Sequence, residues 1–126
     1  MNPYDAAHNL AKALRESQDF KDLKDTQTAL KADESARKML LDFRNEQLEL
    51  QKQKLSGVEV APEQEEKLEK LFEVVNMNTT IRHFLQAEYR VAVLLQDIHK
   101  TIGEATSEII DPELMALPDE FEEDEE

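Results

Sequence analysis

Cysteine and tryptophan are absent from this 126-residue chain, and it holds only 2 glycines and 4 prolines. Without cysteine there is no disulfide, no thiolate nucleophile, no zinc finger and no Cys-ligated iron–sulfur cluster. So little glycine and proline leaves few turns for an all-β fold or a doubly wound sheet. With Gly57 and Gly103 as the only glycines, a Walker loop and a dinucleotide fingerprint are both impossible. Long apolar runs are missing too. The longest is Val91-Ala92-Val93-Leu94-Leu95, far short of the roughly 20 residues of a membrane span. Met1-Asn2-Pro3-Tyr4-Asp5 lacks the basic-then-apolar order of a secretion signal, so the cytoplasm is the expected compartment. Positive charge is scarce. Lys+Arg number 15 against 29 Asp+Glu, a net charge of −14, which argues against direct, non-specific nucleic-acid binding.

The acid is unevenly spread. Residues 111–126 hold nine acids and no base, leaving 20 acids and 15 bases in the other residues. The body is mildly acidic and the C-terminal segment dominates the total. The expected organisation is one all-helical domain over 1–110 and an acidic tail over 111–126, disordered from Pro118 onward by self-repulsion.

What remains is helix. Apolar residues recur at threes and fours, with no sustained alternation and no Asn-Gly hairpin signal. A first helix is predicted after Pro3, with Ala7, Leu10, Ala11 and Leu14 on its apolar face, ending near Ser17. A short second helix over about 19–31 offers Phe20, Leu23, Gln27 and Leu30. Asp33 reads as the cap of a third, which Gly57 stops. That third helix carries two stripes. One is Ala36, Met39, Leu40, Phe43, Gln47 and Leu50; the other, at strict seven-residue spacing, is Leu41, Leu48 and Leu55. At 100° per residue the stripes lie roughly 120° apart, so this helix needs cover on two sides.

Pro62 opens a fourth helix with Leu68, Leu71, Phe72 and Val75 inward. Asn76-Met77-Asn78 reads as a break, with Asn78 capping the next helix. The fifth helix, about 79–110, has the longest stripe: Ile81, Phe84, Leu85, Val91, Ala92, Leu95, Ile98, Ile102, Ala105 and Ile109. Its period near 3.5 favours supercoiled packing. At ~1.5 Å per residue it would run ~48 Å, against a radius of gyration of ~13 Å for a compact chain of this size. Something must cover the excess, and a second copy is the simplest cover. The predicted fold class is therefore all-α: an antiparallel hairpin or bundle of about five helices, two of them long, packing as a homodimer.

The residues that carry chemistry are thinly placed. There is no Gly-x-Ser-x-Gly elbow, and Ser17, Ser35, Ser56 and Ser107 stand apart from any histidine in sequence. His83 and His99 share a helix but sit ~24 Å apart along it, so they cannot share an ion. Asp5-x-x-His8 is a lone i,i+3 pair, where a di-iron bundle needs two Glu-x-x-His motifs. No metal site and no cofactor is expected. Glu88 interrupts the stripe of the last helix and reads as a partnered polar residue, with Arg44, Arg82 and Arg90 as candidate partners. Basic residues do not cluster; Arg37-Lys38 and Lys52/Lys54 are the densest spots.

Ala32-Asp33-Glu34-Ser35-Ala36, Phe43-Arg44, Gln47-Leu48, Leu50-Gln51 and Gly57-x-Glu59 form a pattern in the third helix and just beyond it. With Asn2-Pro3-Tyr4-Asp5-Ala6, Ala13-Leu14-Arg15 and Phe20-x-x-Leu23-Lys24, it resembles the YlbF/YmcA family of Firmicutes, in particular its YheA branch. The resemblance covers about residues 2–110 and contains no catalytic signature. It implies a small all-α cytoplasmic protein of helical hairpins, usually dimeric. YlbF and YmcA resemble adaptors: they assemble with YaaT, act with ribonuclease Y in mRNA processing, and influence sporulation, competence and biofilm formation. Some relatives carry cysteines implicated in iron–sulfur binding; this chain has none, so that cofactor does not carry over.

The reading is a non-enzymatic interaction protein, adaptor or regulator. Its partners would be a second copy and, by resemblance alone, paralogues or the ribonuclease Y complex. A self-associating structural protein without a heterologous partner is the alternative, and an enzyme using Glu88 a more distant one. The interface candidates are Leu41, Leu48, Leu55 and Phe43 on the third helix and Leu95, Ile98 and Ile102 on the last. Leu48→Asp should lower the oligomeric mass or cost several kcal/mol through a buried unpaired charge.

Overall fold

A computed structural model describes residues 1–115. The disorder expected from Pro118 onward, and with it most of the 111–126 tail, lies outside the described residues. Those described form six helices and no strand: α1 (Pro3–Glu16), α2 (Gln18–Ala32), α3 (Glu34–Leu55), α4 (Pro62–Met77), α5 (Thr79–Ser107) and a single turn, α6 (Pro112–Met115). Pro112 thus opens a helical turn. The chain divides into two compact units, Met1–Val91 and Ala92 onward, and α5 contributes to both.

Local capping sets the boundaries. The Asn2 side chain accepts from the Asp5 N–H at 2.8 Å and starts α1. Ser17 does two jobs: its hydroxyl donates to the Leu14 carbonyl at 2.7 Å and accepts from the Phe20 N–H at 3.2 Å. It closes α1 and opens α2. Asp33 Oδ1 accepts from the Ala36 N–H at 3.0 Å, as its position predicts. Gly57 ends α3 at φ +78°, a left-handed conformation that costs glycine nothing. The Val58 and Gly57 N–H groups return to the Gln53 and Lys54 carbonyls at 2.8 and 3.2 Å, a Schellman closure. Asn78 breaks the chain between α4 and α5. Its N–H donates to the Val75 carbonyl, and its Oδ1 accepts from the Ile81 N–H at 3.0 Å. Asn78→Ala should cost about 1 kcal/mol, as lost N-caps do. A urea midpoint shift of matching size, with an unchanged slope, checks this.

The core of the first unit is drawn from four helices: Leu30 of α2, Ala36, Leu40 and Phe43 of α3, Val75 of α4, and Ile81 and Phe84 of α5. The Phe43 and Phe72 rings pack at 5.7 Å between centroids, tilted by 42°. The closest backbone approaches are α3 with α4, α1 with α2 and α2 with α3. Helix α5 enters this core through side chains. Ile81 and Val75 are completely buried. In the second unit, no described residue is buried; Leu95 and Ile98 are half-buried and Ile102 is exposed.

Candidate interaction surface

Helix α3 divides its two stripes sharply. Ala36, Leu40, Phe43 and Leu50 are buried, and Met39 is half-buried against them. Gln47, which falls on the same stripe in sequence, is exposed. The second stripe is left open. Leu41, Leu48 and Leu55 are 51%, 50% and 82% exposed. Their seven-residue spacing keeps them on one side of the helix. Phe43 differs from the other interface candidates. It is buried in the chain's own core and packed on Phe72, so it is not free to meet a partner. On α5, within the second unit, Leu95 and Ile98 are half-buried and Ile102 is 53% exposed.

Glu88 is paired, and it is not buried. Its Oε1 accepts from the Arg44 guanidinium, and its side chain is 41% exposed. The sequence places Glu88 in an apolar stripe, but α5 turns it toward α3, where Arg44 reaches it. The same guanidinium sits over the Phe84 ring at 5.7 Å. The other two candidate partners are engaged elsewhere. Arg82 donates to the Asn76 carbonyl, and Arg90 lies 3.6 Å from both Asp19 and Asp22. An ion pair this exposed contributes ~1 kcal/mol or less. Glu88→Gln should therefore move the melting temperature by only a few degrees. A larger loss would mean that the pair does more than link α3 to α5.

Among the described residues, no three His, Asp or Glu side chains come close enough to hold a metal ion. His83 lines a small groove with Asp22, Asp25 and Arg90. No described helix is long and apolar enough to cross a membrane.

The charge pattern along the chain hides one feature. The structure brings Arg15, Lys21 and Lys24 to one groove, and Lys31, Arg37 and Arg44 to a neighbouring one that shares Gln27. In sequence these cations are scattered over 30 positions among acids. The available signal is the spacing of Lys21, Lys24 and Lys31, which places them on one side of α2.

Fold and surface together define a small all-helical protein of the helical-hairpin kind. Its open features are leucine stripes and charged grooves. The chain belongs to the YlbF/YmcA family: residues 4–107 match the family model described as "Control of competence regulator ComK, YlbF/YmcA". It is 43% identical over 108 residues to a UPF0342 protein of Alkalihalophilus pseudofirmus, covering 86% of this chain and 92% of that one. It is 44% identical over 102 residues to a UPF0342 protein of Symbiobacterium thermophilum, covering 81% and 91%. Its fold is similar to that of yheA from Bacillus subtilis, with a TM-score of 0.63 at 29% identity over 87% of this chain and 100% of that one. A protein of unknown function (DUF964) from Bacillus stearothermophilus has the same fold, with a TM-score of 0.73 at 22% identity over 84% and 93%.

Proposed function

We propose that this protein is a non-enzymatic helical adaptor that self-associates and joins a regulatory complex through helix faces. The observation that carries the reading is the open leucine stripe of α3. Leu41, Leu48 and Leu55 stand in water while the stripe beside them is buried. Leucines at strict heptad spacing, each exposed by half or more, suit a partner helix. Leu95, Ile98 and Ile102 of α5, in the second unit, are proposed as a contact face of their own. An apolar centre with charge at the rim is the usual anatomy of such contacts.

The family's description, control of the competence regulator ComK, favours a regulatory role exercised through protein partners. The resemblance to YlbF and YmcA points further, toward paralogues and the ribonuclease Y complex in the cytoplasm. The test is a pull-down from native lysate with the full-length chain and with a version ending at Asp111, each with and without nuclease. Enrichment of ribonuclease Y or a paralogue that survives nuclease is the expected result. Recovery of the protein alone would leave a self-associating helical protein and remove the adaptor role.

A further inference from the structure

We propose that the basic face of α2, with the start of α3, docks an acidic peptide segment carrying apolar anchors, supplied by another protein. This rests on the adaptor reading and names the chemistry of one partner. The face consists of two shallow grooves that meet at Gln27, of about 470 and 300 Å³. Arg15, Lys21 and Lys24 line the first, and Lys31, Arg37 and Arg44 the second, with no acid in either. In a chain with 29 acids and 15 bases, that segregation runs against composition.

Its origin lies in how α2 sorts its charges. Asp19 and Asp22 turn to Arg90 of α5, and Asp22 and Asp25 line the His83 groove. The lysines of α2 are left on the other side. Among the described residues, Arg15, Lys21, Lys24, Lys31 and Arg37 make no ion pair; Arg44 alone is held, by Glu88. Like charges gathered on one face repel, and a bound anion relieves them.

The floor decides the class of anion. Phe20 and Leu23 lie in the first groove, and Leu41 and Phe84 in the second. A bare polyanion would leave this floor wet. RNA that binds by stacking needs several exposed rings, whereas Phe84 is buried and Phe20 alone is half-buried in these grooves. A peptide with Leu or Phe at helical spacing and Asp or Glu between them matches both floor and rim. Residues 111–126 of this chain share that acidity, so they are the competitor to exclude.

The test titrates the full-length chain into a fluorescein-labelled synthetic peptide of about 14 residues, Glu-rich with Leu at i, i+3 and i+7, in about 0.15 M salt. The variant Lys24→Glu/Arg37→Glu reverses one exposed charge in each groove, and its melting curve confirms the fold. The expected result is saturable binding, weakened roughly tenfold or more by the variant and by replacing the probe's leucines with serine. Equal affinity for the variant overturns the proposal. So does equal binding of the serine probe, which would make the face a counter-ion surface only. Tighter binding of a single-stranded RNA that displaces the peptide would overturn it in favour of nucleic acid. Binding that appears only once the chain is cut at Asp111 would assign the grooves to the chain's own terminus. If the variant still recovers the adaptor's partners from lysate, the adaptor reading stands and this site alone falls.

Discussion

Replacing Ile81 with aspartate should unfold the protein at room temperature. Ile81 is 0% exposed and sits where α2, α3, α4 and α5 share one core. Removing its side chain forfeits about 2–5 kcal/mol of burial and packing. An ionised carboxylate in its place adds several kcal/mol more, since no basic side chain is among the core residues. A domain of this kind is stable by only about 5–15 kcal/mol, so the two costs together consume most or all of it. Far-UV circular dichroism should show most of the helix lost. The control is Leu55→Asp, at a position 82% exposed, which should keep the wild-type spectrum. If Ile81→Asp melts like the wild type, the four-helix core is wrong.

Much of this fold can be read directly from the sequence, because its punctuation is local. Asp33, Gly57, Pro62 and Asn78 each act within three residues of themselves, and each sits at the helix end its chemistry predicts. The two stripes of α3 are likewise a matter of spacing. Which helices approach one another is not local. The periodicity makes α3 and α5 the two long stripes and suggests that they dominate the core. The closest backbone neighbour of α3 is instead α4, which the short connection over residues 56–61 folds back beside it. Gln47 and Phe43 show the same limit in opposite directions. Both lie on one stripe; the first is exposed and the second is buried against Phe72. The Arg44–Glu88 pair is one of three arrangements open to the sequence, and the packing of α5 against α3 selects it. The basic grooves are hidden in the sequence because proximity in space gathers their cations.

The open stripe of α3 carries the second large effect. A stable symmetric interface buries about 800 Å² on each partner. Three leucines exposed by half or more cannot supply that alone, so the proposed contact also draws on the polar side chains that flank them on α3. The centre of such a patch holds most of its energy, and Leu48 is the central leucine of its stripe. An aspartate there places an unpaired charge in the apolar centre of the contact, and a two-fold interface carries that charge twice. Association should fail on the desolvation of that charge. The fold should survive, because Leu48 is already 50% exposed within the single chain. Its replacement removes little intrachain packing, so the loss separates association from folding.

The most direct test of the central claim, that α3 presents a contact face, is the mass in solution of the wild type and of Leu48→Asp. Light scattering on a sizing column measures it. The wild type should run at twice the 14.6 kDa chain mass, and Leu48→Asp at 14.6 kDa with its helical spectrum intact. A wild type at 14.6 kDa, or a variant that keeps the doubled mass and the wild-type melting temperature, would contradict it.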